Sequence, residues 1–197
     1  MMGQKIKVLF LDIDGVLNKL GETSTTATLP RYCCPVGFDA ELVDNFVTIL
    51  KAIPDVKIVL STAWRDMGST EAFELAFATW GVGVNIISKT PNGLNELFSY
   101  GIKRGLEITS WLNSADHQGF SIEEYVVLDD RKDAGFGHED RFVFTNYKHG
   151  LTKEKAEQAI RILQGELNAE ERHATQSDTY LDWAQAEEDT FQGFGKS

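Results

Sequence analysis

KVLFLDIDGVLN, residues 7–18, carries an almost unbroken apolar run into two aspartates and a glycine. Such a run reads as a strand buried on both faces, as in a parallel sheet covered by helices. Asp12 and Asp14, spaced i and i+2 where the strand ends, should project into the crevice at the carboxyl edge of the sheet. In open α/β folds that edge binds ligands. Gly15 lets the chain turn sharply as it leaves the strand. Taken alone, a D-x-D is equally the mark of turn-capping aspartates.

Outward from this stretch, further apolar runs alternate with helix-period segments. The runs predict strands at Lys7–Asp12, Val56–Ser61, Val84–Ile87, Tyr125–Asp129 and Arg141–Phe144. Helices are predicted from an Asp39 cap to a stop at Pro54, and around Ser69–Thr79, Arg104–Asn113 and Thr152–Leu167. Thr152 is followed three residues later by Lys155 rather than an acid, which leaves half of a capping box. The alternation predicts an α/β fold, a Rossmann-like three-layer sandwich with a mainly parallel sheet. Residues 1–167 form the expected domain, with a Thr/Ser/Gly/Pro-rich flap at 19–37; residues 168–197 are an acidic tail in which Tyr180–Ala184 could form a short amphipathic helix.

Three other strand ends or helix starts carry chemical groups. Ser61-Thr62-Ala63-Trp64-Arg65 offers a hydroxyl able to bond a phosphoryl oxygen and a permanently charged guanidinium, though a helix cap with a surface arginine has the same pattern. Lys103-Arg104 opens the helix containing Trp111 and Leu112. Asp129-Asp130 closes an apolar strand, and paired acids there are costly unless protons or a cation compensate them. Magnesium suits such a place, since it takes a few carboxylates plus water and phosphate oxygens.

In this order, D-x-D, Ser/Thr, Lys/Arg and D-D, the set resembles the four motifs of the haloacid dehalogenase (HAD) superfamily. FLDIDGVLN, LSTAWR, RGLEITSWL, VVLDD and GLTKEKAEQAIRIL more narrowly resemble the HAD domain of multidomain RNA-repair proteins and their phage and bacterial stand-alone relatives. That resemblance implies Asp12 as nucleophile and Asp14 as acid and base, with Ser61 and Arg104 stabilising the transferring phosphoryl group; Lys103 is the alternative cation. It implies magnesium held by Asp12, the Asp14 carbonyl and Asp129, with Asp130 binding directly or through water. Thr62, Arg65 and Lys103 fall on the substrate side, and Trp64 is expected to pack in the core. Aspartate at position 14, absent from dehalogenases and replaced by threonine in transport ATPases, implies phosphatase or phosphotransferase chemistry. With only 19–37 as an insertion, the cap is minimal or missing, and such a site admits macromolecules.

Composition narrows the partners. Hydrophobic residues make up 42%, as in an ordinary globular protein, and the net charge of −11 argues against a non-specific nucleic-acid coat. From Glu166 onward eight acids face two bases, a net of −6 that leaves −5 for the preceding 165 residues. No apolar run is long enough for a bilayer, and the N-terminus reads as a strand rather than a secretory signal. The only cysteines, Cys33 and Cys34, are adjacent, so a reducing cytoplasm is expected. His117, His138, His149 and His173 show no metal spacing and are expected to be structural or exposed. Three functions remain open: a phosphatase for RNA or DNA ends, a phosphatase for nucleotides or sugar phosphates, and a non-catalytic binding module.

Overall fold

In the computed structural model the described residues are 3–19, 37–92, 103–115, 119–167 and 171. The expected flap lies outside them except at its two ends, as does the tail except Glu171. The strands are β1 (Gln4–Leu11), β2 (Lys57–Leu60), β3 (Ile86–Lys89), β4 (Phe120–Asp129) and β5 (Phe142–Phe144). They form one sheet in the order β3-β2-β1-β4-β5, with every neighbouring pair parallel. Parallel strands need long crossovers; α1 (Ala40–Ala52) lies between β1 and β2, α2 (Thr70–Thr79) between β2 and β3, and α3 (Lys103–Ser114) on the longer crossing from β3 to β4. The helix α4 (Lys153–Gln164) follows β5.

β1 sits at the centre because both of its faces are apolar. Leu9 and Leu11 join one core with Phe46 of α1, Phe73 and Phe77 of α2, and Ile162 of α4. Val8 and Phe10 join the opposite core with Ile108 and Trp111 of α3. Phe10 meets Trp111 edge-on at 5.4 Å between ring centroids, a pairing worth about 0.5–1.5 kcal/mol beyond burial. The sheet is thus the middle of three layers, as its near-continuous apolar strands demand.

Local signals set most element ends. Asp39 accepts from Glu41 N at 3.0 Å to open α1, which closes at Ile53 just before Pro54. Thr152 caps α4 through Lys155 N at 3.4 Å. That helix stops earlier than Leu167 because Gly165 adopts the left-handed conformation (φ 70°) and bonds back to Arg161 and Ile162. β3 lies two residues later than VNII, since Ile86 is the residue that pairs with Ile58. β4 begins earlier than Tyr125, because its half-exposed start pairs with Gln4–Lys7 of β1. Among the described residues no helix is long and apolar enough to cross a membrane.

Candidate active site

The parallel sheet brings the ends of β1, β2 and β4 to one edge. Asp12 N bonds Leu128 O at 2.9 Å, and Ser61 N bonds Leu11 O at 2.8 Å. The ladder thereby sets Asp12, Ser61 and Asp129 side by side. Gly15 turns the chain at φ 70° and has a second reason to be glycine: a Cβ there would lie 2.3 Å from Asp130 Oδ2. Oxygens of Asp12, Asp129 and Asp130 lie within 4.8 Å of one another, a spacing able to hold a metal ion.

One cation reaches into this group. Arg104, in the first turn of α3, is buried with Nη1 3.2 Å from Asp129 Oδ2 and 3.5 Å from Asp12 Oδ2. Lys103 Nζ turns instead to Glu107, 3.8 Å away. Consecutive residues of a helix diverge by about 100°, so both cannot serve the same point. The Ser61 hydroxyl is buried and has no hydrogen-bond partner among the described residues. The Asp14 carboxylate is held by two donors: its oxygens accept from the Trp64 indole N–H at 2.8 Å and from Asn18 Nδ2 at 2.9 Å.

The chain matches the family described as the HAD domain in Swiss Army Knife RNA repair proteins, over residues 8–156. It belongs to that family. No curated protein and no solved structure matches it. Membership points to phosphatase-type hydrolase chemistry, and HAD domains generally use magnesium.

Several side chains of this HAD domain have partners that sequence reasoning missed. Arg65, expected on the substrate side, is buried. It bonds Glu107 Oε2 at 2.9 Å and Thr62 O at 3.1 Å, so it ties the turn after β2 to α3. Glu107 is the acid of the R-x-x-E-I pattern, and that spacing was the available signal for it. Thr62 caps the 3-10 turn Ala63–Asp66 through Trp64 N at 3.3 Å. Trp64 is in the core as expected and also holds Asp14, a contact across 50 residues with no local signal. His138 proves structural and buried; its ring nitrogens face Tyr125 Oη at 2.9 Å, Thr109 Oγ1 at 3.1 Å and Gly105 O at 3.1 Å. It clamps α3 next to Arg104. Asp133 closes the same end of α3 by accepting from Arg104 N at 3.0 Å. A Cβ on Gly105 would sit 2.4 Å from Phe136 O, so only glycine lets the helix approach this closely.

Electrostatics fit a cation. Burial pushes Asp129 well above the ordinary carboxylate range, and Asp12 adds to this while Arg104 opposes it. Burial also raises Asp12 against the pull of Arg104. Asp130 is pushed up to about 7, first by burial and then by Asp12. Arg104 is raised: burial works against its charge, but Asp129 and Asp12 outweigh it. Three crowded carboxylates facing one arginine are what a hard divalent ion compensates.

A pH dependence follows. An acid raised on folding binds more protons in the native state, so stability falls as pH climbs from its unfolded to its folded pKa. For Asp130 that window runs from 3.8 to about 7. Buried His138, whose pKa burial lowers, acts in the opposite sense. The comparison between wild type and Asp130→Asn cancels the histidine. We expect metal-free Asp130→Asn to gain stability over wild type as pH rises from 4 to 8, read by chemical denaturation. A constant difference between the two would show that Asp130 carries no such burden.

Proposed function

We propose that this chain is a magnesium-dependent phosphomonoesterase that works through an aspartyl-phosphate and acts on phosphorylated RNA or DNA ends. The observation that carries the chemistry is the meeting of Asp12, Asp129 and Asp130 with buried Arg104 and the Ser61 hydroxyl, unpaired among the described residues, at one sheet edge. A carboxylate, a hydroxyl and a fixed cation at one sheet edge are the groups that such a reaction needs.

Asp12 attacks phosphorus, forming the Asp12 O–P bond as the bond to the leaving oxygen breaks. Asp14 gives its proton to that oxygen. It then takes a proton from water, whose attack breaks the Asp12 O–P bond and releases inorganic phosphate. Arg104 and the Ser61 hydroxyl bind the oxygens of the transferring group. Asp12, Asp129, Asp130 and the Asp14 carbonyl would hold magnesium, which when bound offsets the negative charge gathered on carboxylates and phosphate. Splitting hydrolysis this way replaces one hard displacement by two easier ones.

The RNA-repair context of the family supports a polynucleotide end as substrate, and the two adjacent cysteines suit a reducing cytoplasm. The test is turnover with magnesium on p-nitrophenyl phosphate, mononucleotides, and 3′- or 5′-phosphorylated oligonucleotides. The expected result is a higher kcat/KM for oligonucleotides that falls steeply with salt, as phosphate contacts release counterions. Equal efficiency on mononucleotides, with no added salt dependence for the longer substrate, would favour a small-molecule phosphatase.

Trp64 gives a sharper prediction. Its N–H fixes the orientation of the Asp14 carboxylate, and a hydrogen bond to a charged group contributes about 1.5–3 kcal/mol. Trp64→Phe should lower kcat about tenfold on ribose phosphates, whose leaving oxygen needs a proton. The loss should be smaller on p-nitrophenyl phosphate, whose leaving group departs as a stable anion. An equal loss on both would make Trp64 only a packing residue.

A further inference from the structure

Beside the aspartates lies a cleft of about 450 Å³, lined by the cations Arg65, Lys103, Arg104 and Arg131 against the acids Asp66 and Glu107. That volume falls within the roughly 300–1,000 Å³ of small-ligand sites and exceeds what one phosphate needs. The four cations are committed to different degrees. Arg104 is buried on Asp12 and Asp129, and Arg65 on Glu107. Lys103 is 35% exposed, and Glu107, its partner at 3.8 Å, has its other oxygen taken by Arg65. Arg131 is 49% exposed. It binds Asp133 through Nε and Nη2, an anchor that holds the guanidinium plane and leaves Nη1 outside that pair.

We infer that Lys103 and Arg131 form a second anion site, which takes a phosphate of the substrate other than the one that reacts. Arg104 separates the two tasks, since it lines the cleft and also touches the nucleophile. A substrate with one phosphate under Arg104 extends along a cleft that two partly exposed cations also line. A polynucleotide supplies that group as an internal phosphodiester, and a nucleoside bisphosphate supplies it as a terminal monoester. A mononucleotide has neither, so the site rewards a second phosphate rather than a particular base. Single exposed ion pairs contribute little, but two partly exposed cations lining one cleft raise the local potential for an anion. The inference rests on the phosphatase reading only for the position of the reacting phosphate.

Binding and turnover separate the two ideas. Adenosine 3′-monophosphate, adenosine 3′,5′-bisphosphate and a 3′-phosphorylated trinucleotide are titrated calorimetrically, with magnesium, into the Asp12→Asn chain. The same titrations are made on that chain carrying Lys103→Gln and Arg131→Gln as well, with thermal melts to confirm folding. The expected result is about tenfold tighter binding of at least one two-phosphate ligand than of the monophosphate, lost in the triple variant. A preference for the bisphosphate assigns the site to a terminal phosphate, and one for the trinucleotide alone assigns it to an internal phosphodiester. A preference that survives both glutamines, or no preference at all, overturns the inference. Should the wild-type chain bind with this preference yet hydrolyse none of the three, the phosphatase reading fails and the second anion site stands.

Discussion

Asp12→Asn is expected to fold and to turn over phosphomonoesters at least about 10³-fold more slowly than wild type, a barrier increase of about 4 kcal/mol. An amide is a poor nucleophile, and no other described carboxylate shares its position at the end of β1. The fold should survive, because Asp12 is one of three crowded acids and a neutral isostere relieves their repulsion. Arg104 keeps Asp129 at 3.2 Å when Asp12 is neutral. Asp14→Asn should stop turnover differently. With p-nitrophenyl phosphate, which needs no proton to leave, the Asp12 phosphoenzyme should form and persist, because nothing then deprotonates water. Acid quenching with ³²P-labelled substrate distinguishes the two variants. More than a few per cent of wild-type rate in Asp12→Asn would end the case for covalent catalysis there.

The second large effect is expected at Arg104. Its removal leaves Asp12 and Asp129 buried without their shared counter-charge, and breaking a buried pair from one side costs about 3–5 kcal/mol. Arg104→Ala should therefore lose both stability and activity, and magnesium should restore part of the stability by supplying the missing charge. Arg104→Lys keeps the charge without the planar fork and should fold better, with activity still well below wild type. Lys103→Ala, on a partly exposed side chain 3.8 Å from its acid, should cost under about 1 kcal/mol in stability. On p-nitrophenyl phosphate it should lose less kcat than either Arg104 variant. Denaturation curves with and without magnesium, read beside kcat, check this. A larger loss of kcat in Lys103→Ala than in Arg104→Lys would make Lys103 the cation of the reacting phosphate.

Much of the fold was legible in the sequence. The apolar runs KVLFL, VKIVL and YVVLD are buried strands, because only a segment covered on both faces tolerates so few polar residues. Asp39, Thr152 and Pro54 mark helix ends through local hydrogen bonding or its loss, which needs no tertiary context. The ends of β3 and α4 were harder. VNII is apolar throughout, so composition cannot say which residue pairs with β2. Gly165 competes as a stop with the apolar Leu167, which is itself buried in the core.

For the candidate site, the sequence by itself determined which groups stand at strand ends: Asp12 after β1, Ser61 after β2, Asp129 at the end of β4. The near-continuous apolar runs and their abrupt end at a polar side chain mark these three places. Only the tertiary structure decided how charges are shared among them. Arg65, Lys103 and Arg104 are alike in one dimension. In three, Arg65 is spent on Glu107, Arg104 on two aspartates, and Lys103 is left at the mouth of a cleft. The bond from Trp64 to Asp14 and the clamp of His138 on α3 belong to the same class. Their partners are distant in the chain, and a contact of about 3 Å depends on strand order and helix placement. Periodicity and capping are short-range consequences of backbone geometry, whereas the pairing of buried charges is settled by where packed layers bring them to rest.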